Sequence, residues 1–181
     1  AWGSSFDDGE KGITTARAGH MAHGTTRQVL SLITNPIDVI CGNLKTVHDM
    51  MPDRPDILGA HLEGPFLAMP RKGAHDPNCL VDPTPDLVSR MLDAADGCLR
   101  QITIAPELPH GIDAIRRFFL AGVVPAVGHC DADYQTARKG FDAGAGIMTH
   151  MFNAMNGLHH RDPGPIPAAV EDPRVTIELI N

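Results

Sequence analysis

Short apolar runs alternate with segments long enough to form helices along the whole chain. The short runs are rich in β-branched and aliphatic residues, which predicts strands. The predicted strands are Thr26–Leu32, Ile57–Leu62, Leu99–Ala105, Val123–Val127, Gly146–His150 and Val175–Ile180. The predicted helices are Glu10–His23, Pro36–Met51, Thr84–Asp96, Gly111–Ala121, Asp133–Ala143 and a short one at Ile166–Glu171.

Alternation of strands and helices predicts an α/β fold with a parallel sheet. Right-handed helical crossovers wind such strands either into an open doubly wound sheet or into a barrel. Six strands in 181 residues also match the spacing in a (β/α)₈ barrel, which needs roughly 250 residues for eight units. The pattern leaves both architectures open, and in a barrel the chain would supply only a part.

Residues typical of helix ends mark several boundaries. Pro85 stands near the start of one predicted helix, and Asp131 is a candidate N-cap for the helix that follows it. Gly122 and Gly144 stand where two helices are expected to end. Because no internal repeat or linker interrupts the pattern, residues 1–181 are predicted to belong to a single domain.

Composition excludes several classes of protein. Hydrophobic residues make up 43% and charged residues 20%, which excludes a disordered or fibrous chain. A net charge of -7 without a basic stripe argues against nucleic acid as a partner. The chain has no apolar run of about eighteen residues, which argues against a membrane span. Four scattered cysteines without a Cys-x-x-Cys spacing indicate reduced thiols and a cytoplasmic location.

Three ionisable residues stand where predicted strands end, in a chain that has ten histidines. They are Glu63, His129 and His150. One carboxylate and two imidazoles from three parallel strands suit a catalytic Zn²⁺ or Fe²⁺ with an open position, as in amide hydrolysis. Each residue alone could instead make a structural hydrogen bond, and Glu63 could pair with Arg71 or Lys72. Three residues at equivalent positions favour a site.

Two long irregular segments follow predicted strands and are expected at the same end of the sheet. They are Gly64–Pro83 and Asn153–Pro167, and loops of this length are more often functional than not. Arg161 is suited to bidentate binding of a phosphate or carboxylate, while Asn153 and His75 can bond hydroxyls or an amide carbonyl. A surface ion pair with a neighbouring acidic residue is the alternative for Arg161.

Five motifs then resemble one enzyme family in order and spacing. They are HLEGPF (His61–Phe66), KGAH (Lys72–His75), VGH (Val127–His129), THMFNAM (Thr149–Met155) and LHHRDPG (Leu158–Gly164). SFDDG at Ser5–Gly9 and HGTT at His23–Thr26 agree with the same family. The chain is similar, over nearly its whole length, to the N-acetylglucosamine-6-phosphate deacetylases of the amidohydrolase superfamily.

The resemblance implies a TIM-type (β/α)₈ barrel of the metal-dependent hydrolase kind, here with about six of eight strands and without the flanking β-sandwich. It implies that the three strand-end residues hold a divalent metal, most often zinc, with Fe²⁺ and a second ion left open. It also implies a set of substrate-binding residues and a homodimer. In that dimer Arg161 would bind the 6-phosphate near the interface between the subunits. The implied set consists of Ala74, His75, Asn153, Ala154 and Arg161.

The implied reaction is hydrolysis of the acetamide of N-acetylglucosamine 6-phosphate to glucosamine 6-phosphate and acetate, in amino-sugar catabolism and cell-wall recycling. The family's catalytic aspartate, the general acid/base, is expected beyond Asn181, so the chain is expected to be the central part of a longer protein. Another amidohydrolase barrel, of the dihydroorotase or adenine-deaminase kind, is one alternative, although no lysine closes a predicted strand. A non-catalytic module that binds a metal or a sugar phosphate is the other.

Overall fold

The computed structural model describes residues 2–180, which form six strands and six α-helices in alternation. The strands are β1 (Gln28–Ile33), β2 (Ile57–Glu63), β3 (Leu99–Ile104), β4 (Val124–Val127), β5 (Ile147–Met148) and β6 (Thr176–Ile177). The helices are α1 (Gly9–Ala22), α2 (Ile37–Met50), α3 (Pro85–Ala95), α4 (Gly111–Leu120), α5 (Tyr134–Asp142) and α6 (Ile166–Val170). None of the helices in this range has the length and apolar character needed to cross a membrane.

All six strands belong to one sheet, are parallel, and lie in chain order from β1 to β6. A doubly wound sheet reverses its strand order at a switch point, whereas a barrel wall adds each strand beside the previous one. The strand order therefore decides between the two architectures that the hydrophobic pattern left open. Residues 2–180 form six consecutive units of a barrel wall, as predicted.

The helices bury one face each against the sheet. In α2 the side chains of Ile40, Leu44 and Val47 are buried at the four- and three-residue spacing of a single helix face. Burying each of these side chains contributes about 1.5–3 kcal/mol of transfer free energy. Phe66, just after β2, lies in the same core with its ring centroid 6.4 Å from that of Phe118 in α4. This contact anchors the start of the long segment that follows β2.

The helix ends agree with the sequence prediction at two glycines and differ at one cap. Gly122 and Gly144 follow the ends of α4 and α5 with φ of +82° and +119°, which favour glycine. The N-cap of α5, however, is Asp133, whose side chain accepts a hydrogen bond from the backbone N–H of Thr136 at 2.7 Å. The prediction for Asp131 was wrong because the helix begins two residues later than that cap requires.

The strand β5 is shorter than the predicted run Gly146–His150. Its regular pairing covers only Ile147 and Met148. His150 has a φ of +29°, which lies outside the range of extended backbone, so the chain has left the sheet by that residue. The departure places the His150 side chain at the carboxyl edge of the sheet.

Candidate metal centre

Three strand ends bring Glu63, His129 and His150 together. Glu63 is the last residue of β2, while the two histidines follow β4 and β5 by two residues each. Because all these strands are parallel, their carboxyl ends lie at one edge of the sheet. The side chains of Glu63 and His150 are 23% and 18% exposed, and that of His129 is 6% exposed. The cluster is therefore mostly withdrawn from water but open on one side.

The three groups meet at almost equal distances. Oε1 of Glu63 lies 3.0 Å from Nε2 of His129 and 3.0 Å from Nε2 of His150. The two Nε2 atoms also lie 3.0 Å apart. One oxygen and two nitrogens thus form a nearly equilateral triangle.

The backbone fixes the protonation of one imidazole. Nδ1 of His129 lies 2.8 Å from the carbonyl oxygen of Arg71. Since a carbonyl oxygen only accepts hydrogen bonds, Nδ1 of His129 carries the proton, and Nε2 of the neutral ring then holds a lone pair. That lone pair points at Glu63 and His150. Metal-binding histidines usually have this arrangement, in which one ring nitrogen donates to a carbonyl oxygen and the other binds the metal.

Charge at the cluster is set by burial and by hydrogen bonds. Burial by itself would raise the pKa of the Glu63 carboxyl, but the neighbouring imidazoles of His129, His150 and His75 outweigh this effect and hold that pKa well below its ordinary value. The hydrogen bond to Glu63 raises the pKa of His150, against the opposing effect of burial. Glu63 therefore remains an anion at any pH near neutral.

This donor set fits a divalent cation. Ligands about 2.0–2.1 Å from a zinc ion, at bond angles between octahedral and tetrahedral values, lie about 2.8–3.4 Å from one another. The observed spacing of 3.0 Å lies in that range. Two imidazole nitrogens and a carboxylate oxygen also suit Zn²⁺ or Fe²⁺. Lone pairs this close repel one another unless protons or a cation lie between them, and one divalent cation would satisfy all three groups at once.

A third imidazole lies against the cluster. Nε2 of His75 is 3.5 Å from Oε2 of Glu63, the oxygen that the other two histidines leave free. Its ring packs edge-on against that of His129, with centroids 4.8 Å apart. Nδ1 of His75 and Nδ1 of His150 are both buried without a hydrogen-bond partner among residues 2–180. Such orphaned polar atoms beside a ligand cluster indicate room for further polar partners.

The backbone around the cluster adopts unusual conformations. His129 has a φ of +47°, and in the segment after His150 the residues Phe152 and Ala154 have φ of +79° and +50°. Each non-glycine residue in this region costs about 1–3 kcal/mol, and such residues concentrate at functional sites. The surrounding hydrogen bonds hold these turns in place despite this cost.

The predicted substrate residues lie at the same edge with different exposure. His75 is 8% exposed, whereas its neighbour Ala74 is exposed. Asn153 is exposed, and its side-chain amide donates to the carbonyl oxygen of His150 at 3.2 Å. Ala154 is half-buried. Arg161 is exposed, and its side chain makes no ion pair with any of the described residues.

Arg71 was one of two basic residues that could have paired with Glu63 in place of a metal. It does not pair with Glu63; its guanidinium contacts Asp131, with Nε 2.9 Å from Oδ1, and Asn156. These contacts join residues 60 and 85 positions apart, which no local pattern in the sequence could indicate. Arg71 thus links three loops around His129.

A chain-ordered parallel sheet whose carboxyl edge gathers one carboxylate and two imidazoles is characteristic of the metal-dependent hydrolase barrels of the amidohydrolase superfamily. Comparison with known proteins narrows this class. The chain is 41% identical to the N-acetyl-D-glucosamine-6-phosphate deacetylase of Mycobacterium smegmatis, whose solved structure superposes with a TM-score of 0.95 over 99% of this chain and 47% of that chain. A second structure of that protein is a mutant in complex with N-acetyl-D-glucosamine-6-phosphate.

The names of curated relatives agree with the comparison of structures. The chain is 35% identical over 161 residues to the N-acetylglucosamine-6-phosphate deacetylase of Vibrio furnissii, which covers 87% of this chain and 40% of the relative. It is 34% identical over 151 residues to the N-acetylgalactosamine-6-phosphate deacetylase of Escherichia coli O157:H7, which covers 82% of this chain and 40% of the relative. No family model matches. The chain is homologous to the N-acetylglucosamine-6-phosphate deacetylases, as its motifs predicted, and spans less than half the length of these relatives.

Proposed function

We propose that the protein is a metal-dependent deacetylase that hydrolyses the acetamide of N-acetylglucosamine 6-phosphate to glucosamine 6-phosphate and acetate, in amino-sugar catabolism and cell-wall recycling. The observation that carries the proposal is the mutual spacing of 3.0 Å among Glu63, His129 and His150 at the carboxyl edge of the sheet. The names of the relatives support the substrate. They do not favour either alternative, a different amidohydrolase barrel or a non-catalytic binding module.

We assign Glu63, His129 and His150 as ligands of one divalent cation, most often Zn²⁺ in such sites, with Fe²⁺ and a second ion left to measurement. A cation held there supplies Lewis-acid chemistry, which polarises a carbonyl and makes water a better nucleophile near neutral pH. The low pKa of Glu63 keeps this carboxyl ionised, which suits a ligand. The hydrogen bond from Nδ1 of His129 to the carbonyl of Arg71 makes Nε2 the nitrogen of the neutral ring that can bind a metal.

We place the amino-sugar phosphate over the exposed side of the cluster. His75 is assigned to the N-acetyl group or a ring hydroxyl, since its buried Nδ1 has no partner among the described residues. Ala74, Asn153 and Ala154 are assigned to the sugar. Arg161 is assigned to the 6-phosphate, since its guanidinium is exposed and free of ion pairs within residues 2–180.

Proton transfer needs a group with a different pKa from that of Glu63. A general base or acid works best when its pKa lies near the operating pH, and the Glu63 carboxyl lies far below it. Glu63 is therefore unsuited to this role, which the resemblance to the deacetylase family assigns to an aspartate expected beyond Asn181.

We also propose a homodimer in which Arg161 lies near the interface, and a cytoplasmic location. The exposure of the segment around Arg161 is compatible with contact to a second subunit. All four cysteines are free thiols, which is typical of a reducing compartment. Light scattering of the purified protein, with and without Arg161→Ala, tests the dimer.

The test of the proposed function uses the protein as encoded in full, purified without chelators. Elemental analysis is expected to show about one divalent ion per chain, and an acetate-release assay is expected to show turnover of N-acetylglucosamine 6-phosphate. Glu63→Gln should lose both the ion and the activity. Glu10→Gln, at an exposed position of α1, should lose neither.

The same assay separates the alternatives. Comparison with the galactosamine epimer and with unphosphorylated N-acetylglucosamine defines the epimer and phosphate requirements. A protein that binds metal and sugar phosphate but releases no acetate would be a binding module. A protein with no bound ion, and no activity after zinc is added, would contradict the proposal.

A further inference from the structure

A row of four hydrogen-bonded polar side chains lies next to the ligand cluster inside the barrel wall. Ser31 in β1 bonds Nδ1 of His61 in β2 at 3.0 Å. Nε2 of His61 bonds Oγ1 of Thr103 in β3 at 2.9 Å, and Oγ1 of Thr103 bonds Oγ1 of Thr149 at 2.8 Å. We call these four residues the polar row. The proposed mechanism makes no use of any of them.

Three residues of the polar row are buried for a reason other than packing, while the fourth, Ser31, is exposed. Thr103 is 0% exposed, Thr149 is 3% exposed and His61 is 8% exposed. Interior positions of barrel strands are usually filled by Val, Ile or Leu, and a buried hydroxyl costs free energy unless it is hydrogen-bonded. Valine, with nearly the same shape as threonine, would fill the position of Thr103 at no such cost. A hydroxyl is therefore present there for its hydrogen bonds.

The hydroxyl of Thr103 is fully used in either tautomer of His61. If Nε2 of His61 carries the proton, Thr103 accepts from it and donates to Thr149. If Nε2 is unprotonated, Thr103 donates to it and accepts from Thr149. In both cases one hydroxyl joins β2 to the turn after β5.

Thr103 also adjoins the ligand residues through the backbone. It is the register partner of Glu63 across the β2–β3 pair, and its carbonyl oxygen accepts from the N–H of Gly64 at 3.3 Å. Its hydroxyl partner, Thr149, directly precedes His150. Thr103 therefore connects the chain segments that carry two of the three proposed ligands.

The third ligand is connected by close packing. Gly128 directly precedes His129, and a Cβ atom at Gly128 would lie 2.7 Å from Cβ of Thr149 and 2.9 Å from Cγ2 of Thr103. Real Cβ atoms do not approach carbon this closely, so Gly128 is pressed against the Thr103–Thr149 pair. All three ligand-bearing segments thus meet one pair of threonines.

We propose that Thr103 is a positioning residue of the metal centre, whose hydroxyl fixes the relative placement of the segments that carry Glu63, His129 and His150. The inference rests on the proposed metal-dependent function and extends it to a residue outside the ligand set. Removing the hydroxyl leaves the shape of the core intact but frees the Thr149 turn from β2. The ligands then lose part of their common spacing.

The test replaces the hydroxyl without changing the volume, in the protein as encoded in full. Thr103→Val is expected to weaken zinc binding about tenfold, the lower end of the range for residues that orient metal ligands. Competition with a chromogenic chelator measures this affinity. Thr103→Ser, which keeps the hydroxyl, is expected to restore affinity to within about twofold of the unmodified protein, because it can make the same two hydrogen bonds.

Ile102→Val is the matched control for a loss of packing. Ile102 is the neighbour of Thr103 in β3 and is also 0% exposed, but alternation along the strand places its side chain on the opposite face. It should bind zinc like the unmodified protein. If Thr103→Val proves too unstable to purify, Thr149→Val removes the same Thr103–Thr149 bond from its other end and should show the same weaker binding.

Two outcomes overturn the inference. One is unmodified zinc affinity in Thr103→Val or Thr149→Val, and the other is a Thr103→Ser protein that binds zinc as weakly as Thr103→Val. Failure of the unmodified protein to bind any divalent ion would instead contradict the proposed function, on which the inference rests. Measuring the unmodified protein first keeps the two failures distinct.

Discussion

Arg71 contacts the His129 imidazole through its backbone carbonyl and the turn after His129 through its side chain. The carbonyl oxygen of Arg71 accepts from Nδ1 of His129 at 2.8 Å, while the guanidinium of the same arginine contacts Asp131, two residues further along the chain. The carbonyl oxygen of His129 in turn accepts from the N–H of Ala68 at 2.9 Å. The segment after β2 thus sets both the tautomer and the orientation of the His129 imidazole.

Arg71→Ala should weaken metal binding more than it weakens the fold. Loss of the contacts to Asp131 and Asn156 frees the turn whose carbonyl orients His129, and such outer contacts are typically worth about 10- to 100-fold in metal affinity. Chelator competition measures the affinity, and urea denaturation of the metal-free protein measures stability. Arg116→Ala, which removes an exposed arginine of α4, is the control. Equal metal affinity in both variants would show that Arg71 has no such role.

His150→Asn should remove the metal while leaving the metal-free fold nearly intact. Loss of a ligand is expected to cost more than about 100-fold in affinity, the upper end for residues that only support ligands. Asparagine tolerates positive φ better than most residues, which suits the φ of +29° at this position. Elemental analysis and urea denaturation check the two expectations, with His48→Asn on the exposed face of α2 as control. Lower stability with unchanged metal content would indicate a purely structural role.

Gly128→Ala should destabilise the protein by about 1–3 kcal/mol, the usual cost of overpacking a core. The added Cβ would lie 2.7 Å and 2.9 Å from carbon atoms of Thr149 and Thr103. Gly157→Ala is the control, because nothing lies within 4 Å of a Cβ at that position. It should change the free energy of unfolding by less than about 0.5 kcal/mol. Similar urea midpoints for the two variants would contradict the close packing.

The carboxyl of Glu107 should make the stability of the protein depend on pH. Burial raises the pKa of its carboxyl above the ordinary 4.5, and the hydrogen bond that it accepts from the N–H of Asp131 only partly offsets this effect. The folded protein therefore binds this proton more tightly than the unfolded chain does. This contribution to stability is fully present below the unfolded pKa and is lost as the pH rises through the folded pKa.

Glu107→Gln removes that titration while keeping the side-chain oxygen that Asp131 uses. The free energy of unfolding of the variant, minus that of the unmodified protein, should increase as the pH rises from about 4.5 to about 7.5. Urea denaturation at several pH values measures the difference. A difference that is constant or decreases with pH would contradict the raised pKa.

Much of the fold and the centre of the site were predictable because they depend on local patterns. Each strand is a short apolar run, and parallel strands bring their carboxyl ends to one edge, so Glu63, His129 and His150 could be expected together. The cap of α5 was placed two residues early because Asp131 and Asp133 are equally good caps in isolation. Only the start of the helix distinguishes them.

The supporting residues were not predictable for a different reason. In the sequence, nothing distinguishes Thr103 from the other positions of the strand LRQITI. Its importance depends on its register with Glu63 and on a bond to Thr149, 46 residues away. Likewise, the carbonyl of Arg71 carries no sequence signal at all, because every residue has one. Contacts of this kind appear only once the chain is folded.

The strand order also determines how a bound ion would affect local unfolding of the protein. The proposed ligands come from β2 and from the turns after β4 and β5, with separations of 66 residues between Glu63 and His129 and 21 between His129 and His150. An ion that binds only the folded chain closes both of these loops at once. Segments between β2 and β5 that would otherwise unfold locally, one at a time, must then unfold together. Metal binding should therefore slow amide hydrogen exchange across this whole stretch and not only at the ligands.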